Sequence, residues 1–141
     1  MGAWGTRTFQ NDDALDWLGA LVDSSDEATV RGALELATSA GPEEYLESPA
    51  GQQALAAAEL VAAAVGRAGD GLPEEAREWV AAHGSRITGL LDLARLAVMR
   101  VMADRNSEIR DLWSTAAGAA GEDVAAWERN IAELERRLAP A

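Results

Sequence analysis

From residue 14 onward, apolar positions recur at intervals of three and four. Ala14, Leu15, Leu18, Leu21 and Val22 form one stripe, the spacing of a helix that buries a single face. Asn11 stands just before that stripe, and Asp12 and Asp13 open it. Asparagine is a favoured N-cap, and negative charge in the first turn suits the helix dipole. Asp12 and Asp16 lie four apart, on the side away from the stripe. Ser24 and Glu27 have capping-box spacing and predict a second helix to about Thr38, ended by Gly41 and Pro42. Ser48 and Pro49 open a third, running to about Val65. Gly66, Gly69 and Gly71 mark the loosest loop of the chain. Pro73, Glu74 and Glu75 begin a shorter fourth helix that Gly84 terminates.

The fifth predicted helix, Ile87 to Ala103, is apolar almost all round. Its polar strip is narrow, with Thr88, Asp92 and Arg95, and Arg100 to one side. Such a helix belongs in the middle of a bundle, so the centre is expected here. Asn106 or Ser107 caps a sixth helix carrying Ile109, Leu112 and Trp113. After Gly118 and Gly121 comes the last, where Val124, Trp127, Ile131, Leu134 and Leu138 alternate spacings of three and four. That seam covers about two heptads, too short for an independent coiled coil, so docking onto the bundle is expected. No stretch alternates with period two between turn residues, and no sheet is predicted. Residues 1–10 lack helical period and are read as an extended arm, docked through Trp4 and Phe9. The expected fold is all-α, a single-domain bundle of six or seven helices over residues 11–138 behind that arm.

Composition narrows the functional classes. The chain has 141 residues, 48% of them apolar, enough for a buried core. Alanine fills 31 positions, and five of the seven aromatics are tryptophan, so helices can approach closely and a few large side chains set the packing. There is no cysteine, which excludes disulfides, thiolate metal sites and thiol nucleophiles. No apolar run suits a membrane span and the start lacks a secretory layout, so the cytosol is the expected location. The formal net charge is −12, the wrong sign for nucleic acid or an anionic membrane and the right sign for a basic protein partner. All twelve basic residues are arginine, which with the alanine content points to a high-G+C bacterial genome.

Candidate chemistry is sparse. His83, the only histidine, sits where a cation would complement a helix C-terminus. No Glu-x-x-His pair, EF-hand spacing or nucleophile elbow is present, so no catalytic residue, metal or cofactor is expected. Met1-Gly2 with Thr6 fits a myristoylation pattern that a bacterial chain would not use. Asp12, Asp13 and Asp16 are a solvated face or a weak hard-cation turn. Glu59 is the only charge between Glu47 and Arg67, set among alanines, leucine and valine. A carboxylate there either lies at the rim of a thin polar face, pairs with an arginine or a capping backbone, or lines a pocket. The opening stretch gathers Trp4, Phe9 and Trp17 beside Asn11 and the aspartates.

That opening carries a resemblance. Met1-Gly2-Ala3-Trp4-Gly5, then Phe9, then Asn11-Asp12 with Ala14, Asp16 and Trp17, resembles the start of a bacterial family known as domain of unknown function 4259. Its members open with Met-Gly-Ala-Trp-Gly, continue with an aromatic, then Asn-Asp-x-Ala-x-Asp and another aromatic. The similarity extends to Ala56-Ala57-Ala58-Glu59-Leu60-Val61 and to Leu72-Pro73-Glu74-Glu75. The resemblance implies a discrete helical domain and carries no activity with it.

The functional expectation is a non-enzymatic, acidic protein-interaction domain with a basic protein partner, in its sharpest form a toxin-neutralising immunity protein. It would be a monomer or weak homodimer. The alternative is a small-molecule-binding bundle or minor enzyme built on Glu59 or the Asp12/Asp16 turn. The candidate binding residues are Trp4, Asn11, Asp12, Asp13, Asp16, Trp17 and Glu59.

Overall fold

The structure is a computed structural model, and it describes residues 8–24, 26–41, 43–103, 106–109 and 121–139. Six α-helices occur among them: α1 (Asp12–Ser24), α2 (Glu27–Thr38), α3 (Ser48–Ala64), α4 (Glu74–His83), α5 (Leu91–Val101) and α6 (Gly121–Leu138). Two 3-10 turns, Gly84–Arg86 and Thr88–Leu90, lead into α5. The described residues contain no strand. One isolated bridge joins Leu46 to Ser107, with the Leu46 N–H donating to the Asn106 carbonyl and the Glu108 N–H to the Leu46 carbonyl.

The centre of the bundle is α3. Every residue from Ala54 to Ala62 is buried, and the helix packs against α1, α2, α4, α5 and α6. Alanine is the best helix former and leaves a thin cylinder that neighbours can approach from all sides. At its start Pro49 fits the first turn, and no side chain of its own caps it. Glu108 supplies an acceptor instead, taking the Ser48 N–H at 2.6 Å.

This corrects the expectation that residues 87–103 form the central helix. There α5 begins only at Leu91, and it buries Ala94, Ala97, Val98 and Val101 while Leu96 and Met99 stand 54% and 59% exposed. Counting apolar residues ranks the two segments wrongly, because girth decides which helix can be surrounded.

The α1 cap is as the sequence indicates: Asn11 Oδ1 accepts the Ala14 N–H at 2.8 Å. The buried face is Ala14, Trp17, Leu18 and Leu21. Trp17 turns inward, and Leu15 and Val22 remain at the edge, each more than a third exposed. The expected Ser24–Glu27 capping box does not form. Ser24 is still the last residue of α1, and Asp26 caps α2 by accepting the Ala28 N–H at 2.9 Å.

Trp127, Ile131, Leu134 and Leu138 are buried where α6 packs on α3 and α5. Those four seam positions are therefore occupied within the chain. Ile109 is buried, and the rest of the expected sixth helix, with Leu112 and Trp113, lies outside the described residues. Arg100, placed by sequence at the edge of the polar strip of α5, donates to the carbonyls of Ala40, Gly41, Glu44 and Asn106. It ties the α2–α3 connection to the segment after α5.

Candidate functional site

Glu59 projects from the middle of α3 and is only 5% exposed. Burying a carboxylate among apolar neighbours costs several kcal/mol (roughly) unless partners satisfy it. Both oxygens are satisfied here. Arg137 of α6 donates from Nη1 to Oε1 at 2.8 Å, and the Thr8 hydroxyl donates to Oε2 at 2.8 Å. Thr8 in turn accepts from Asn130 Nδ2 at 3.1 Å. Of the alternatives open in the sequence, two occur together: Glu59 pairs with an arginine and lines a pocket.

Arg137 is held from several sides. Its Nε donates to Glu133, one turn earlier, at 2.7 Å, and Nη1 also reaches the Arg67 carbonyl at 3.3 Å. Arg67 returns the contact, its Nη1 donating to the carbonyls of Arg137 and Ala139 and capping the end of α6. Gly69 lies directly against the guanidinium; a Cβ there would fall 3.0 Å from Cζ and Nη2. Glycine is what lets the loop backbone come so close. Burial opposes the charge on Arg137, but hydrogen bonds and attraction from Glu59 and Glu133 outweigh it and raise its pKa above the ordinary arginine value. A raised basic pKa adds stability that is present below the unfolded value and lost only as pH rises through the folded one. For an arginine that range lies far above neutrality, so the guanidinium keeps its charge wherever the fold is used.

A cavity of about 500 Å³ opens beside this network. Its walls are the 68–72 loop, the Thr8–Phe9 segment and the α6 face bearing Ala126, Arg129, Asn130, Glu133 and Arg137. That volume is in the usual range for small-ligand pockets.

The candidate residues divide. Asn11 is buried, caps α1, and reaches the Thr8 carbonyl at 2.9 Å and Gln52 Oε1 at 3.1 Å. It therefore meets Glu59 through Thr8, which bonds one through its backbone and the other through its hydroxyl. Trp17 is a core residue. Asp12 and Asp16 are exposed and Asp13 half-buried, all outside the network; among the described residues no group of acids and histidine has metal-holding geometry. Trp4 lies outside the described residues, as do Gly2 and Thr6, while Thr8 and Phe9, the end of the expected arm, are buried. His83 ends α4 with its ring 5.1 Å from that of Trp79. Sequence reasoning missed Thr8, Asn130, Glu133 and Arg137. The one available signal was on α6, where Glu133 and Arg137 stand four apart beside the seam.

These features define an alanine-cored helical bundle closed by a buried acid–base network. The chain belongs to the family described as Domain of unknown function (DUF4259), whose model matches residues 2–130. The match takes in Thr8, Glu59 and Asn130 and ends before Glu133 and Arg137. No curated protein and no solved structure matches the chain. No helix among the described residues is long and apolar enough to cross a membrane.

Proposed function

We propose that this is a non-enzymatic binding domain whose anionic face, formed by α1 and α4, docks a basic protein partner. The observation that carries the reading is the acidic surface of α1 and α4; Arg31, Arg86, Arg95, Arg129 and Arg136 are exposed on other elements. Arg67, Arg100 and Arg137 bond to backbone carbonyls or to buried Glu59, and Arg77 donates to the Leu72 carbonyl. The acids face out. Asp12, Asp16 and Asp23 are exposed on α1, which has no basic residue, and Glu74, Glu75 and Glu78 are exposed on the neighbouring α4, whose only arginine is Arg77. A predominantly anionic face of this kind speeds encounter with an oppositely charged partner and discourages others. The network around Glu59 fits a scaffold role in this reading, since both carboxylate oxygens are already engaged. A toxin-neutralising immunity protein is its sharpest form, and a basic toxin encoded beside this gene would be the matching genomic observation.

The test is capture from the native host with wild-type bait and with bait carrying Asp12→Asn, Asp16→Asn, Glu75→Gln and Glu78→Gln. The reading expects a basic protein held by wild type, lost from the substituted bait, and released steeply as salt rises, because screening acts over about 8 Å at physiological ionic strength. Capture of only neutral or acidic proteins, or of the same protein by both baits, contradicts it.

A further inference from the structure

The cavity beside Glu59 contains unmatched hydrogen-bonding groups of both signs. Arg137 uses Nε and Nη1 within the protein, and Nη2 makes no hydrogen bond to a described residue. Arg129, two turns earlier on α6, lines the same cavity and forms no hydrogen bond or ion pair with a described residue. Asp70, between Gly69 and Gly71, is likewise without one. Glu133 uses only Oε2. Phe9 and Leu72 add an apolar wall. A purely anionic ligand would face the carboxylates of Glu59, Asp70 and Glu133, and a purely cationic one would face two guanidiniums. Opposite charges close together on one small molecule match both sets.

We propose that the cavity binds a small zwitterion of the amino-acid or dipeptide class. Its carboxylate lies on Arg129 and the Nη2 edge of Arg137, where guanidinium geometry suits a carboxylate. Its ammonium lies between Asp70 and the free oxygen of Glu133, and an aliphatic side chain rests on Phe9 and Leu72. Glu59 and Thr8 act behind the site, fixing Arg137 so that its remaining N–H groups face the ligand. This site is separate from the α1–α4 face and does not depend on it.

Calorimetric titration of the full chain with L-leucine and with leucylglycine tests the proposal, with N-acetyl-leucine and leucinamide as probes lacking one charge each. Saturable binding of at least one zwitterion is expected, with each blocked analogue weaker. Arg129→Gln and Asp70→Asn change exposed side chains, so the variants should keep the wild-type circular dichroism spectrum. Each should weaken binding about tenfold or more, the effect of losing a charge-assisted hydrogen bond. Absence of saturable heat with both zwitterions, equal affinity for the blocked analogues, or unchanged affinity in both folded variants would overturn the assignment.

Discussion

Two apolar helices occupy opposite situations in this bundle. α3 is buried along its whole middle and carries one carboxylate; α5 is richer in large apolar side chains and leaves Leu96 and Met99 in the open. Large residues on every face hold neighbours at a distance, whereas alanine on every face lets five helices converge. The inner position then makes polarity consequential. A charge on α5 can turn to water, as Asp92 does at 93% side-chain exposure, while the charge on α3 must be met by another element. Arg137 meets it from 78 residues away in sequence.

The comparison is sharpened most by removing that partner. Arg137→Ala leaves Glu59 buried without its counter-charge and should cost about 3–5 kcal/mol, read from urea denaturation midpoints at constant slope. A loss under about 1 kcal/mol, the usual ceiling for an exposed pair, would mean that α3 is wetter than its burial indicates. Next in size is Ala58→Leu, which adds volume where the helix has no free side. Overpacking should cost about 1–3 kcal/mol, and an unchanged thermal midpoint would break the claim that α3 is enclosed. At the other extreme, Leu96→Gln and Met99→Gln on α5 should each change stability by no more than about 0.5 kcal/mol, as surface substitutions do. A large loss at either position would return α5 to the interior.

Much of the fold was legible because its signals are local. Asn11 before two aspartates, Pro49 in a first turn, Gly84 as a stop, and the spacing of Trp127, Ile131, Leu134 and Leu138 act within a few residues. The Ser24–Glu27 spacing misled because Asp26, one residue before Glu27, is an equally good cap, and local pattern does not choose between them. The central place of α3 was masked for a different reason: its apolar positions are mostly alanine, which adds little bulk to the pattern yet allows close approach on every face. Glu59 was visible as an anomaly, and an arginine was among its foreseeable partners. Which arginine, and the Thr8 hydroxyl on the other oxygen, depend on tertiary contacts across 78 and 51 residues, and no spacing within one segment encodes them. Arg100 was overlooked likewise, since a cation near the end of an apolar helix looks solvated until the loop it clamps is in place.

The buried pair at the heart of the bundle is tested most directly by a double-mutant cycle between Glu59→Leu and Arg137→Met, followed by denaturant unfolding. Arg137→Met alone should destabilise by about 3–5 kcal/mol, and adding Glu59→Leu should restore most of that loss, because apolar replacement of a complete buried pair is often neutral or stabilising. If instead the two single costs add to within about 0.5 kcal/mol, Glu59 and Arg137 do not act as a pair, and the centre of the bundle is not held as described.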